Sequence, residues 1–401
     1  MHLHLHHITK PIEHVSTDSG LAGADDDDVA AGFAQLVENT HPSQSDGDLM
    51  QGIHAAAHSH LPSLHKFVPQ LQNLATKYHV GNYVIDRKTG EKFFESMPIY
   101  ARLGMHLLFC GKQQVKLLEG SKRVDSLLRE QSIREGRIYD SPESVKNIPS
   151  FIRTYKISLD ELLDPDIKHY ANFNEFFYRK LKPDARPVEN ADDPAAFCSA
   201  ADSRLVVYPT IDLALKFWVK GDEFSVPALL NLEPSDPSCL QFEGGSLAIF
   251  RLAPSDYHRF HSPVDATVSG NPIDVPGQYY TVNPQAINEA NLDVFSRNKR
   301  SILFLQHTLS GKQVAFVAIG ALLVGSITWT VEENVTVRRG GELGYFAYGG
   351  STVIAIFPPN VITFDEDLVE HSAPLSDNTK KIRPMETLVQ VGYSLGRWNG
   401  A

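Results

Sequence analysis

Cysteine is scarce in this 401-residue chain: Cys110, Cys198 and Cys239 stand far apart, with no CxxC pair and no Cys/His spacing of a metal site. That excludes a disulfide framework as the organising device and leads us to expect unpaired thiols in a reducing compartment. Positive charge is in deficit, with a formal net charge of −11, which argues against a nucleic-acid or polyanion binder. Long hydrophobic runs are missing as well. A membrane-spanning helix needs roughly 18 consecutive apolar residues. The most apolar stretch, "VAFVAIGALLVGSITW" (314–329), is broken by Gly320, Gly325 and Ser326 and is rich in β-branched residues. It reads as two buried strands around a turn. No basic-then-apolar leader opens the chain, so no signal peptide is expected, and neither a fixed-period repeat nor a phosphate-cradling glycine loop is visible.

What is present falls into three parts. Residues 1–60 contain "MHLHLHHITK", an acidic "ADDDDVA" and a polar stretch without period. The histidines lack an acidic or cysteine ligand at a fixed spacing, so they read as a solvated, poorly ordered tail and no metal is expected. Residues 61–190 read as helical, with Ser96 as an N-cap, Pro98 in the first turn and Ile99, Leu103 and Leu107 on one face. "YANFNEFFYRKLKPDARP" (170–187) is a second amphipathic segment, aromatic on one side and basic on the other. Such helices either pack on their own domain or lie in a membrane interface. From 191 to 401 short β-rich runs such as "SRLVVYPT", "GSLAIFRL" and "STVIAIF" alternate with Gly, Pro, Asn and Asp. The expected class is α+β: an N-terminal helical segment followed by a mostly antiparallel β sandwich or barrel.

Reactive residue types are densest in "SDYHRFHSPVDATV" (255–268), where His258 and His261 are three apart. On a helix they would share a face, and near a serine either could act as a general base. A second feature is "YGGSTVIAIF" (348–357), in which two glycines and two hydroxyls precede a buried-strand pattern. It reads as a turn entering a strand or as a bond meant to break at Gly350-Ser351. The dipeptide alone is unspecific, because Gly120-Ser121, Gly245-Ser246 and Gly325-Ser326 repeat it and "EGGSLAIF" imitates its surroundings.

The combination of segments separates them. "RLAPSDYHRFHSPVD", "QYYTVNPQAIN", "DVFSRNKRSILFL", "GALLVGSITWT", "VRRGGELGYFAYGGSTVIAIF" and "METLVQVG" resemble the eukaryotic phosphatidylserine decarboxylases, most closely the fungal endomembrane type, from about Ser96 to Gly396. The resemblance implies a proenzyme that cleaves itself between Gly350 and Ser351. Ser351 would then head a short chain as a covalent pyruvoyl cofactor, which captures the amine of phosphatidylserine and takes up the electrons released as CO2 departs, giving phosphatidylethanolamine. It implies that His261, oriented by Asp202, activates Ser351 during cleavage, and that His258 serves substrate contact and decarboxylation. On that basis His258 is expected to be partly accessible and His261 to lie deeper against Asp202. The partners implied are phosphatidylserine, a membrane surface contacted peripherally (endomembrane or cytoplasmic, the compartment being open), and the chain's own two cleavage products. A homodimer is admitted and nucleic acid is not. Two departures, Ala200 and Ala266 where the family often has Pro and Gly, remove no functional group. The calcium-dependent lipid-binding modules of long family members are not expected ahead of this region. The alternatives are a pyruvoyl-dependent decarboxylase of a free amino acid such as tryptophan on the same scaffold, and a non-catalytic hybrid-motif carrier module suggested by "VTVRRGGELGYF".

Overall fold

The computed structural model describes residues 81–96, 129, 132–133, 136–217, 224–280, 293–321, 326–347, 349, 351–372, 384–398 and 400. The chain divides into two compact units, Met1–Asn82 with Phe94–Leu127, and Tyr83–Phe93 with Leu128–Ala401. Nearly all described residues belong to the second.

The strands, in chain order, are β1 (Gly81–Asp86), β2 (Lys92–Ser96), β3 (Ala196–Cys198), β4 (Ser203–Tyr208), β5 (Ser246–Leu252), β6 (Arg259–His261), β7 (Ala266–Val275) and β8 (Arg300–His307). They continue as β9 (Gln313–Gly320), β10 (Ile327–Trp329), β11 (Thr336–Val337), β12 (Glu342–Phe346), β13 (Ser351–Phe357), β14 (Thr363–Phe364), β15 (Glu386–Val389) and β16 (Ser394–Arg397). Ten of them form one sheet in the order β11-β7-β8-β9-β13-β5-β4-β15-β1-β2, and two three-stranded sheets, β10-β12-β6 and β14-β16-β3, complete the set. Pairing inside the large sheet is antiparallel apart from β1 and β15, which run parallel. The class is therefore α+β, as expected. The large sheet is open rather than closed into a barrel, and the sandwich form of the expectation is the one the layers fit.

The central strands are apolar on both faces because both are covered, so β5, β9 and β13 read as continuous hydrophobic runs. Alternation still assigns the faces. Val353, Ala355 and Phe357 of β13 join Ala248, Phe250 and Leu252 of β5 and Phe316 and Ala318 of β9 in one core. The small sheet packs there through Phe260, Phe346 and Trp329, whose rings meet each other and Phe316 with centroids 4.9–6.0 Å apart. Burying one such ring is worth about 1.5–3 kcal/mol. Ser351 lies two residues before Val353 and faces the same side, toward the small sheet.

The expectation of helix throughout 61–190 fails at residues 81–96, which form the β1–β2 hairpin. Asp86 stops the first strand: its Oδ1 accepts from Lys88 N and Thr89 N at 2.8 and 3.0 Å, and Gly90 takes the positive φ of 71° that closes the turn. Ser96 thus ends a strand, and the helix expected after it lies outside the described residues. Further on, α1 (Ile148–Tyr155) and α2 (Phe173–Phe177) are helical. Asn172 caps α2 by accepting from Glu175 N at 2.9 Å. Phe151 of α1 and Phe173, Phe176 and Phe177 of α2 are buried in a second, smaller core with Tyr139, Ile148 and Leu162.

Candidate active site

Ser351 opens β13 in the middle of the large sheet, opposite Gly320 on one side and Leu252 on the other. It is fully buried. Gly349, two residues earlier, has φ of 138°, a backbone region closed to most side chains, so a glycine is required there. Gly350 lies outside the described residues.

The small sheet brings the histidine-rich segment onto this strand. β6 pairs with β12, and Phe346 N donates to the His258 carbonyl at 2.9 Å, which keeps His258 extended just ahead of β6. Two hydrogen bonds then settle its ring. Nε2 is 3.0 Å from the Ala253 carbonyl, which can only accept, so Nε2 carries the hydrogen. Nδ1 is left with a lone pair, and the Ser351 hydroxyl donates to it at 3.3 Å. The Phe177 ring lies over the imidazole at a centroid distance of 3.9 Å. Both His258 and Ser351 are without solvent exposure. Burial first, then the nearby Arg179 guanidinium, pushes the His258 pKa down to about 3, so this imidazole is neutral throughout the physiological range.

His261 is settled in the opposite sense. Its Nδ1–H donates to the Gly340 carbonyl at 2.9 Å, and Nε2, with the lone pair, faces the Tyr257 hydroxyl at 3.3 Å. Burial lowers its pKa, while Glu342 and Asp202 pull it back up. Its main-chain N–H donates to the Ala200 carbonyl at 2.8 Å, which sets the residues just before Asp202 beside β6. The Asp202 carboxylate is held by the Arg186 guanidinium at 2.7–3.0 Å and by Val391 N at 2.9 Å.

Asp202, His258, His261 and Ser351 thus occupy one neighbourhood, but the contacts differ from the expected pattern. The imidazole hydrogen-bonded to Ser351 belongs to His258. His261 is bonded to Gly340 and Tyr257, and Asp202 to Arg186. Exposure is reversed too: His258 is completely buried, whereas His261 retains 9%. Backbone geometry explains the difference. A spacing of three aligns side chains on a helix, but in an extended segment it sends them to opposite faces. Among the described residues no group of three His, Cys, Asp or Glu could hold a metal ion, and the His-rich N-terminus lies outside them. The decoy Gly245-Ser246 is distinguished by its surroundings: Ser246 Oγ donates to the Pro209 carbonyl at 3.0 Å and, among the described residues, hydrogen-bonds to no imidazole.

Sequence reasoning missed Phe177, Arg186, Tyr257 and the Ala253 and Gly340 carbonyls. The first two sit in the amphipathic segment 170–187, whose aromatic and basic faces were the available cue. Backbone carbonyls carry no residue-type signature at all.

The comparisons with known proteins agree with one another. A family model described as phosphatidylserine decarboxylase matches residues 173–389, more than half of the chain. The chain is 46% identical over 314 residues to phosphatidylserine decarboxylase proenzyme 3 of Schizosaccharomyces pombe, covering 78% of this chain and 31% of that protein. It is 43% identical over 329 residues to proenzyme 2 of Oryza sativa subsp. japonica, covering 81% and 50%. A phosphatidylserine decarboxylase proenzyme of Chlamydia trachomatis serovar L2 is 40% identical over 252 residues, 62% of this chain and 77% of that protein. The chain therefore spans about a third to a half of the length of the fungal and plant relatives, and most of the chlamydial one.

Proposed function

The chain belongs to the phosphatidylserine decarboxylase family, and on that premise we propose that it is a self-processing, pyruvoyl-dependent enzyme that converts phosphatidylserine to phosphatidylethanolamine and CO2. The observation that carries the reading is the buried hydrogen bond from Ser351 to His258 at the mouth of β13.

Ser351 Oγ loses its proton to a base and attacks the Gly350 carbonyl carbon. The Gly350–Ser351 C–N bond breaks, the freed nitrogen takes a proton, and an ester remains. Loss of the Ser351 Cα proton expels the Gly350 carboxylate and leaves dehydroalanine. Water then replaces the nitrogen, which departs as ammonia, and a pyruvoyl group heads residues 351–401. His258 aligns the Ser351 hydroxyl through Nδ1. At a pKa near 3 it is a weak base, so we assign the proton to His261. Its Nε2 lone pair faces the Tyr257 hydroxyl in the resting chain and must be relayed through it or turned toward Ser351, and its basicity is supported by the Gly340 carbonyl, Glu342 and Asp202. Apo-state distances of this kind tighten when the reacting geometry forms.

The residues present fit the cofactor: its parent serine is buried among apolar strands, against a neutral imidazole that the Phe177 ring covers on its other side. The pyruvoyl group supplies a ketone for the substrate amine and a sink for the electrons left when CO2 departs. His258 keeps Nδ1 at position 351, where it can hold or deliver a proton, and the dry surroundings keep competing water out. Among the described residues no helix is long and apolar enough to cross a membrane, which is compatible with action from the surface of an endomembrane.

The test is direct. Purified chain and its Ser351→Ala variant are incubated with phosphatidylserine vesicles and with free tryptophan, scoring CO2 and the fragment starting at position 351. Wild type is expected to cleave and to release CO2 from the lipid, and Ser351→Ala to do neither. Full lipid activity in an uncleaved Ser351→Ala chain refutes the mechanism, and CO2 from tryptophan alone refutes the substrate.

A further inference from the structure

A guanidinium taken out of water needs a counter-charge or a full set of acceptors. Among the buried arginines, Arg204, Arg251, Arg259 and Arg339 each face a carboxylate, of Asp256, Glu386, Glu342 and Asp265 respectively. Arg300 has no such partner, but it spends Nε and both Nη atoms on main-chain carbonyls. Two of these, of Ala228 and Leu229, lie at the C-terminal end of the short helix Val226–Leu230, where carbonyls lack helical partners. Arg179 has neither remedy. Its Nη1 donates to the Phe177 carbonyl at 3.3 Å and its Nη2 to the Ser255 and Asp256 carbonyls at 3.1 and 3.2 Å. Its Nε is buried without a partner, and among the described residues no carboxylate lies within ion-pair distance of it. The Phe176 ring is 5.5 Å from the guanidinium, and burial pulls the Arg179 pKa down.

This uncompensated charge stands beside the reaction centre. Arg179 follows closely on Phe177, whose ring covers His258, and it grips the turn whose Ala253 carbonyl holds His258 Nε2. In phosphatidylserine the phosphorus is joined to the serine Cα through Cβ and a single oxygen, so an amine captured at position 351 carries a phosphodiester anion into this same corner. We propose that Arg179 receives that phosphodiester and thereby selects a phospholipid headgroup over a free amino acid. The inference rests on the substrate reading above. A phosphate accepts two parallel N–H bonds from the guanidinium fork and supplies the missing charge, which carbonyls cannot. The substrate's carboxylate is the wrong anion for this place. A cation bound to it would hold the group that must leave as CO2 and stabilise the ground state against the transition state. Ser351 and His258 have no exposure, so a covering segment must move for the lipid to enter. When Arg179 exchanges the Ser255 and Asp256 carbonyls for the phosphate, α2 is released from the turn.

Two amines of matched length test this on the processed full-length enzyme, as inhibitors of CO2 release from phosphatidylserine. One, 2-aminoethyl octyl phosphate, carries the anionic diester; the other, 2-aminoethyl octyl methylphosphonate, is neutral there. Wild type is expected to bind the diester about 10–100-fold more tightly, the range of hydrogen bonds to charged groups. Arg179→Gln should remove most of that preference while inhibition by the neutral ester changes less than about threefold, and Arg179→Lys, which keeps the charge without the fork, should fall between. Equal affinity of wild type for the two amines overturns the proposal whatever the variants do, as does a preference that survives whole in Arg179→Gln. A merely structural role predicts that both inhibitors weaken in parallel, and that result overturns it too. Should Arg179→Gln not fold or cleave, the wild-type comparison and Arg179→Lys decide: a preference reduced by lysine supports the proposal, and one left whole overturns it. A wild type that takes tryptophan but not phosphatidylserine sinks the substrate reading, while the same pair of amines, read against tryptophan, still judges Arg179.

Discussion

Phe177 offers the sharpest handle on the site, because one ring both fills a core and keeps His258 dry. It is fully buried, 3.9 Å from the imidazole by centroid on one side and 6.0 and 6.2 Å from Phe151 and Phe173 on the other. Phe177→Ala should cost about 3–5 kcal/mol at pH 7 through lost burial and the cavity left behind. Phe177→Leu keeps most of the volume and should cost about 1–2 kcal/mol, chiefly the ring contacts. The cost must also depend on pH. With its native-state pKa down to about 3, His258 is uncharged in the folded chain while its unfolded counterpart binds a proton below about 6.5. The unfolded state then binds more protons, so wild-type stability falls by about 1.4 kcal/mol per pH unit between those values, roughly 3 kcal/mol by pH 4.5. Opening the pocket to water raises the native pKa and returns part of that loss. The penalty of Phe177→Ala should therefore be on the order of 1–2 kcal/mol smaller at pH 4.5 than at pH 7. His261, His307 and His371 are also held down by burial, but they titrate in both chains and cancel in the difference. Denaturant unfolding of the Ser351→Ala chain with and without Phe177→Ala, at both pH values, measures it. A penalty that is the same at pH 7 and pH 4.5 would refute the view that this ring desolvates His258.

Three further outcomes are expected. If the two imidazoles divide the work as proposed, His261→Ala leaves the 44.5 kDa chain whole on a denaturing gel, while His258→Ala still cleaves slowly and loses CO2 release by about 10²–10⁴-fold; wild-type cleavage in His261→Ala would transfer the base role to His258. After cleavage, residues 351–401 should stay with the large chain through native chromatography, because β13 is hydrogen-bonded to both β9 and β5 and β15 lies between β4 and β1. The Arg251–Glu386 pair, bidentate at 2.7 Å and buried, spans the break, so Arg251→Met, which strands the Glu386 charge, should lower stability by about 3–5 kcal/mol in denaturant titration.

The linear chain held enough to single out Ser351 from its decoys and to name Asp202, His258 and His261, which the fold brings into its neighbourhood, because motif order across some 300 residues outweighs the ambiguity of any one dipeptide. It also determined the β-rich character of 191–401, since strand alternation and turn residues are local properties. The hairpin at 81–96 carries a local signal, Asp86 and Gly90 between the β-prone runs of "VIDRKTGEKFF", but it is short and flanked by segments of helical period. The pairing within the site was another matter. Which histidine meets Ser351 depends on whether residues 258–261 coil or extend, and that is decided by β12, more than 80 residues later, donating to the His258 carbonyl. The bond from Ser351 to Nδ1 and the dryness under Phe177 likewise arise from groups far apart in sequence. Even the nearer partners, the Ala253 carbonyl at Nε2 and Arg186 on Asp202, are set by how the chain turns back rather than by residue type. Residue types set what chemistry was available; hydrogen-bond partners and desolvation, which exist only once the strands have packed, decided where each proton sits.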